Sequence, residues 1–265
     1  MDLEANVERF RGFADIYERF RPSPPEILAE ILSRYARVDF PSLVVDLGCG
    51  TGLSTRYWAA KAGQVIGIDP SADMLNLARK NTTDANIRYQ EGFSHQTGLP
   101  DHCAQIVTTS QALHWMEPQP TFVEAARILQ TGGVFAAYDY DWPPVTFSWQ
   151  FESAYERFNK SLDERLNSIE GPKATKWDKQ KHLQRVLASG CFRYGREIVL
   201  NYTDTGSAER MVGLIYSLGS AQSLLKLGLT EKEIGLVEMS ELVKQIMGDG
   251  TQTWYWCIRL RLGIV

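Results

Sequence analysis

Glycines and carboxylates with unusual spacing are the first chemical feature of this 265-residue chain. Gly48, Gly50 and Gly52 fall within five residues, just after a short apolar segment that contains Asp46. Glycine lacks a Cβ and adopts positive φ easily, so such a turn lets a ligand lie against the main chain. Asp69 ends the next apolar segment, 21 residues after Gly48. A carboxylate at that spacing accepts hydrogen bonds from a ribose diol. The two features together predict a nucleoside site.

The exact letters of the turn separate the kinds of nucleoside site. The turn reads GCGTG, and Leu53 stands where the dinucleotide pattern G-x-G-x-x-G requires its third glycine. A P-loop needs a Gly-Lys-Ser/Thr ending, which this turn lacks. The pattern matches E/D-x-G-x-G-x-G instead. A nicotinamide dehydrogenase remains an alternative, which Leu53 disfavours.

The surrounding elements alternate regularly between strand and helix. Apolar segments predict strands near 42–48, 64–69, 87–92, 104–111 and 134–141. Amphipathic segments between them predict helices near 53–62, 71–82 and 119–129, the last closed by the glycines of QTGG at 130–133. This alternation is typical of an α/β fold, a doubly wound, mostly parallel sheet with helices on both faces. Ligands bind such sheets beyond the carboxyl ends of the strands.

The two ends of the chain follow a different pattern. FADIYERF, which begins at Phe13, and residues 25–35 predict two helices around the proline-rich break RPSPP. Residues 148–190 and 206–247 also have helical patterns. They surround a strand-like segment, YGREIVLNYTDT, and precede a final one, TQTWYWCIRLRL. The last two predicted strands therefore enclose a helical insert.

Four motifs together resemble the class I S-adenosylmethionine-dependent methyltransferases. They are VVDLGCGTGLST, VIGIDPSADMLNLAR, IVTTSQALHWM and EAARILQTGGVFAAYD, in family order over residues 12–142. YERFRPSPPEIL, ALHW and GFSHQTGLP are similar to the trans-aconitate methyltransferase-like group of small-molecule enzymes. The resemblance implies a Rossmann-like seven-stranded sheet whose last strand is antiparallel, beside the fifth. It also implies one domain, 1–265, with a core of about 38–142 plus strands near 193–203 and 252–263, and a cap from 1–37, 145–190 and 206–248.

The same resemblance implies which residues bind S-adenosylmethionine, with S-adenosylhomocysteine as the product. Asp46 would face the cationic end of the cofactor, the glycines would admit its methionine part, and Asp69 would hold the ribose. Pro70 and Met74 would form an apolar wall for adenine. Where many relatives place an acidic residue near adenine, this chain has Phe93 and Ser94, with His95 nearby.

The remaining predicted contacts concern the reacting end. The main-chain carbonyl of Gln111 would accept from the methionine ammonium, and the aromatic face of Trp115 suits a sulfonium. His114 is the predicted catalytic residue, as base or orienter at neutral pH. Tyr17 and Arg21 would fold over the cofactor, with the Arg21 guanidinium on its carboxylate.

Composition and charge limit the kinds of partner that this chain could bind. The net charge is −4 and no clustered basic face is visible, which excludes a nucleic-acid partner. The four cysteines are far apart, so we expect neither disulfides nor a metal site. Without a leader-like N-terminus or an apolar run of about 18 residues, we expect a cytoplasmic protein, monomer or homodimer, without membrane contact. The predicted acceptor is a small molecule with a carboxylate or hydroxyl oxygen. A catalytically silent cofactor-binding protein is the other alternative.

Overall fold

The computed structural model describes residues 14–170 and 175–265. Two helices precede the sheet, α1 (Ala14–Phe20) and α2 (Glu26–Tyr35). They are separated at the prolines as predicted, and Pro25 is the extended residue that immediately precedes α2. The predicted first residue of the N-terminal helix, Phe13, lies outside the described residues.

The centre of the molecule is one seven-stranded sheet. The strands are β1 (Leu43–Leu47), β2 (Gln64–Asp69), β3 (Ile87–Glu91), β4 (Ala104–Ser110), β5 (Leu129–Tyr140), β6 (Tyr194–Ser207) and β7 (Thr251–Ile264). Their spatial order is β3-β2-β1-β4-β5-β7-β6. The first five are parallel, whereas β7 is antiparallel to both β5 and β6. The predicted last strand beside the fifth is confirmed. Because the five parallel strands end at one edge, the segments that follow them meet there.

Helices α3 (Leu53–Tyr57), α4 (Ala72–Lys80) and α5 (Pro118–Ile128) connect the parallel strands. The prediction that α3 extends to residue 62 is wrong. Its last turns tighten after Tyr57, where Trp58 N–H donates to the Thr55 carbonyl and Lys61 N–H to that of Trp58. The Asn86 amide donates to the carbonyl oxygens of Ala59 and Ala62 and so fixes the segment that leaves these turns.

The glycines of QTGG do not cap α5, contrary to the prediction. Leu129 is already extended and pairs with Ala104 of β4, so β5 begins immediately after the helix. The pairing shifts register between Ala104 and Ile106, which accommodates the extra residues. A Cβ on Gly133 would lie 2.8 Å from the Gln130 carbonyl oxygen, so this irregular strand has no room for a side chain.

Strands β6 and β7 form a long antiparallel ribbon that encloses most of the helical insert. Ser207 and Thr251 are register partners at its end. Between them lie α8 (Ala208–Tyr216), α9 (Gly219–Lys226) and α10 (Leu236–Met247), which pack with α6 (Trp149–Ser168). Trp254 and Trp256 are fully buried against this cap.

Two cores cover the two faces of the sheet. One joins α2 and the cap helices to the sheet, and the other joins α5 and α7 (His182–Ala188) to the opposite face. No helix among the described residues is both long and apolar enough to span a bilayer. The layers leave the carboxyl ends of the parallel strands open to a cleft.

Candidate functional site

A cleft lies at the carboxyl edge of the parallel strands. Of the residues that the sequence singles out, twelve line it: Tyr17, Arg21, Gly48, Gly50, Asp69, Pro70, Met74, Phe93, Ser94, His95, Gln111 and Trp115. Three others, Asp46, Gly52 and His114, are not among the lining residues. The structure therefore brings most of the predicted site together from positions far apart in the chain.

The glycine turn needs its backbone freedom for different reasons at different positions. Gly48 and Gly50 have φ values of +66° and +54°, a region that side chains rarely adopt. A Cβ on Gly48 would lie 2.5 Å from Met116 Cε, so this glycine allows close packing. A Cβ on Gly50 would meet no protein atom within 4 Å, although Gly50 lines the cleft. At Gly50 an added Cβ would therefore point into open space at the cleft.

Gly52 has a packing role that the sequence did not reveal. It precedes α3 with φ +85°, and a Cβ there would collide with the Tyr89 hydroxyl and approach Arg56 Nη1 to 2.8 Å. The Arg56 guanidinium also donates to the Thr51 carbonyl at 2.9 Å and pairs with Glu18 of α1. Gly52 thus lets Tyr89 and Arg56 support the turn from beneath.

Asp69 joins the two motifs that the sequence predicts to work together. Its Oδ2 accepts from the Gly50 N–H and its Oδ1 from the Ser71 N–H, both at 2.9 Å. Burial raises the pKa of Asp69 from 3.8 to about 6. The folded chain therefore holds this proton more tightly than the unfolded chain, and ionisation of Asp69 reduces stability as the pH rises from about 4 to about 6. Hydroxyl donors from a ligand would favour the ionised carboxylate.

Asp46 occupies a different place from the predicted one. Its carboxylate is fully buried and accepts from the hydroxyls of Ser54 at 2.6 Å, Thr55 at 2.8 Å and Thr108 at 3.0 Å. Burial raises its pKa, opposed by these three hydrogen bonds. Since its oxygens already have three donors and it does not line the cleft, Asp46 positions the start of α3 beneath the turn and does not contact the cleft.

The segment after β3 forms the predicted adenine side. Phe93 is 38% exposed in the cleft and its ring stacks on His95, with centroids 5.5 Å apart. Ser94 also lines the cleft, but its hydroxyl hydrogen-bonds the Thr121 hydroxyl of α5 at 2.8 Å. Met74 and Pro70 complete an apolar wall opposite the turn. The arrangement offers ring faces and main-chain groups to a flat heterocycle, without a carboxylate.

Gln111 and His114 follow β4 but have separate surroundings. Gln111 lines the cleft with φ +52°, and its N–H donates to the Tyr138 carbonyl at 2.9 Å. His114 is buried, with 6% of its surface exposed, and its Nδ1 lies 3.8 Å from Asp139 Oδ1. Its ring packs beside Trp115, which does line the cleft. His114 therefore lies beside Trp115 and does not line the cleft, and its role as base or orienter stays a prediction.

Arg21 closes the cleft from the N-terminal side. Its guanidinium donates to the Ser217 hydroxyl at 2.9 Å and to the Ser217 carbonyl at 2.8 Å. It also lies over the rings of Tyr17 and Trp142, 4.8 and 4.6 Å from their centroids. The guanidinium is thus a fixed cation within a largely apolar cleft, suited to an anionic group.

Several lining residues escaped the sequence reasoning. They are Pro22, Pro24, Cys49, Thr51, Leu53, Ser54, Ser71, Ser110, Ala112, Met116, Glu117, Tyr140 and Trp142. Most of them are next in sequence to a predicted site residue. Their position near the end of a strand was therefore the feature of the sequence that could have identified them. Tyr140 and Trp142 end β5, where alternation alone did not show which side chains face the cleft.

Comparison with known proteins agrees with this geometry. A family model described as a methyltransferase domain matches residues 45–137. A methyltransferase of uncharacterised activity from Synechocystis is 31% identical over 57% of this chain and 72% of its own length. The malonyl-[acyl-carrier protein] O-methyltransferase of Pectobacterium atrosepticum is 32% identical over 60% of this chain and 63% of its own length.

Among solved structures, a candidate type II methyltransferase from Anaeromyxobacter dehalogenans has a similar fold. Its TM-score is 0.68 at 20% identity, over 92% of this chain and 98% of that one. The chain spans about half to two thirds of the length of the first curated relatives that it matches. The matched segments contain the glycine turn and the strands that form the cleft.

Proposed function

The chain belongs to the class I S-adenosylmethionine-dependent methyltransferases, and from that premise we propose that it transfers a methyl group from S-adenosylmethionine to an oxygen of a small-molecule acceptor. The observation that supports this most is the combination at Gly50 and Asp69. Gly50 leaves ligand space above its main chain, and its N–H donates to a carboxylate whose remaining lone pairs can accept from a ribose diol.

The described residues fit the cofactor along the length of the cleft. Phe93 and Met74 offer apolar surface to adenine, and Asp69 a carboxylate to ribose. Gly50 leaves room for the methionine part, and the main-chain carbonyl of Gln111 would accept from its ammonium. Together these groups would orient the cofactor.

At the other end of the bound cofactor, Arg21 would pair with the carboxylate of its methionine part, because a guanidinium presents several donors in one plane. The cap helices would complete the acceptor side through the contact between Arg21 and Ser217 of the segment that follows α8.

The cofactor supplies an electrophilic methyl group on a sulfonium, and the protein supplies alignment and exclusion of water. Titratable groups that line the cleft include His95, which stacks on Phe93 at the proposed adenine side, and Glu117, which immediately precedes α5. Tyr140 donates to the Pro22 carbonyl, and burial raises its pKa well above the usual value, so it is no base at neutral pH. His114 is buried beside Trp115 and does not line the cleft. A carboxylate is already ionised and needs no base, so we propose a carboxylate oxygen in preference to a hydroxyl.

Two measurements test this proposal. Titration of the protein with S-adenosylhomocysteine and, separately, with NADH in a calorimeter should show binding of the first only. Incubation with methyl-labelled S-adenosylmethionine and a panel of small carboxylic acids, with the corresponding amides as controls, should label the acids and not the amides. Tight NADH binding without S-adenosylhomocysteine binding would refute the cofactor assignment. Labelling of the amides alone would refute the carboxylate acceptor, and cofactor binding with no transfer to any compound would favour a silent binding protein.

A further inference from the structure

Gln111 holds a backbone conformation that its own residue type does not favour. Its φ of +52° lies in the left-handed region, which is unfavourable for a residue with a Cβ. One contact that fixes it comes from the neighbouring strand β5, where the Tyr138 carbonyl accepts a hydrogen bond from the Gln111 N–H. The other comes from far along the chain, because Lys179 Nζ donates to Gln111 Oε1 at 2.6 Å.

Lys179 is itself held by a buried carboxylate. Its Nζ lies 2.9 Å from Asp139 Oδ1, and the Asp139 side chain is only 6% exposed. Asp139 Oδ2 accepts from Arg261 Nη1 at 3.0 Å, and Arg261 Nε donates to Glu197 at 2.7 Å. A row of alternating charges therefore runs from the edge strand β6 through β7 and β5 to the end of β4. Its last member is the ammonium that bonds Gln111.

The segment that carries Lys179 is anchored to the same loop by its main chain. The Trp177 N–H donates to the His114 carbonyl at 2.8 Å. Lys179 begins a short 3-10 helix, Lys179–Lys181, and its side chain is one third exposed. Two contacts thus fasten this segment to both sides of the turn Gln111–His114. Among the described residues, no other hydrogen bond reaches the Gln111 side chain, and its amide nitrogen is buried without an acceptor.

We propose that Lys179, held by Asp139, is a positioning residue that keeps Gln111 in its left-handed conformation and so aims the Gln111 carbonyl into the cleft. This inference rests on the proposed function, in which that carbonyl accepts from the ammonium of the cofactor. Lys179 does not line the cleft and acts only through Gln111. The charge of Lys179 alone would have the opposite effect, because removal of a cation near the ammonium group of the ligand strengthens binding of that group.

The test is a pair of titrations with S-adenosylhomocysteine, in two backgrounds. Lys179→Met in the wild-type background should raise the dissociation constant about tenfold, the usual order for loss of a hydrogen bond to a charged group. Glycine adopts the left-handed conformation without help, so in a Gln111→Gly background the same substitution should change it by less than about twofold. Lys179→Arg, which retains a charged donor, should restore most of the affinity. Lys181→Met, an exposed lysine in the same short helix, is the matched control and should bind as wild type.

The outcomes separate this inference from the function on which it rests. If the wild-type protein does not bind S-adenosylhomocysteine, the proposed function fails and this inference fails with it. If the wild type binds and Lys179→Met binds equally or more tightly, only the positioning role is refuted. Equal losses in the two backgrounds would also refute it, since the effect would not pass through the Gln111 backbone. Thermal unfolding of each variant, with Lys179→Gln as a second substitution, separates loss of binding from loss of folding.

Discussion

Replacement of Gly50 by alanine separates the two reasons for a glycine in the turn. The residue has φ +54°, and an added Cβ meets no protein atom within 4 Å. The cost to the protein alone is therefore backbone strain without a collision, about 1–2 kcal/mol of unfolding free energy. For a chain of this size, each kcal/mol lowers the thermal midpoint by about 2–4 °C. The added methyl would, however, occupy space that the ligand needs, so affinity should fall by at least about tenfold.

Gly190 provides a matched control for this substitution. It has φ +72°, and a Cβ there also meets nothing within 4 Å, but it lies between α7 and β6 and does not line the cleft. Gly190→Ala should therefore lower the thermal midpoint by a similar amount and bind S-adenosylhomocysteine as the wild type does. The assay is calorimetric titration together with thermal unfolding. A Gly50→Ala protein that is destabilised but binds with unchanged affinity would refute the claim that this space is ligand space.

Three further substitutions test the surroundings of the cleft. In the protein without ligand, the Asp69 carboxyl has a pKa of about 6, and ribose hydroxyls favour its ionised form. Affinity for S-adenosylhomocysteine should therefore weaken as the pH falls from 7 to 5. In calorimetry, Asp69→Asn should bind about 1–3 kcal/mol more weakly and without that pH dependence. Asp46→Ala leaves three buried hydroxyls without their acceptor and should lower the unfolding free energy by about 2–3 kcal/mol in urea, whereas an unchanged midpoint would contradict its role beneath the turn. Hydrogen bonds from Arg127, and then from Thr97, lower the pKa of Glu124 from 4.5 to about 2. Glu124→Gln should therefore lower the unfolding free energy by about 2–3 kcal/mol at pH 7. This difference from wild type should shrink as the pH falls from 4.5 toward 2.

The parts of the fold that could be predicted are those with local causes. Strand alternation, the glycine turn and Asp69 depend on residues within a few positions of one another, and the structure places them as expected. The predicted extent of α3 is wrong because the turns after Tyr57 tighten to hydrogen bonds between residues three apart, which the helical residue types of this segment do not reveal. The prediction that QTGG caps α5 is wrong because pairing with β4 overrides the preference of its glycines for a helix end.

The candidate site shows the same division. Gly50 and Asp69 follow strand ends, so parallel topology alone brings them to one edge. Asp46 and His114 also lie at or just after strands, but their side chains point to buried partners that only the folded chain brings near. The contact between Lys179 and Gln111 spans 68 positions and has no sequence pattern at all. Which residues approach a site can thus be predicted, whereas which of them touch it depends on packing.

The pairing of Ser207 with Thr251 has a consequence for how this molecule could diversify. All of α8, α9 and α10 leave the ribbon and return to it at one rung of the ladder. A short hairpin connection could join these two residues without moving either strand. A different set of helices could also be inserted there while Trp254 and Trp256 remain on the same face of the sheet. The number and length of the helices between Ser207 and Thr251 could thus change without a shift in the register of β6 and β7.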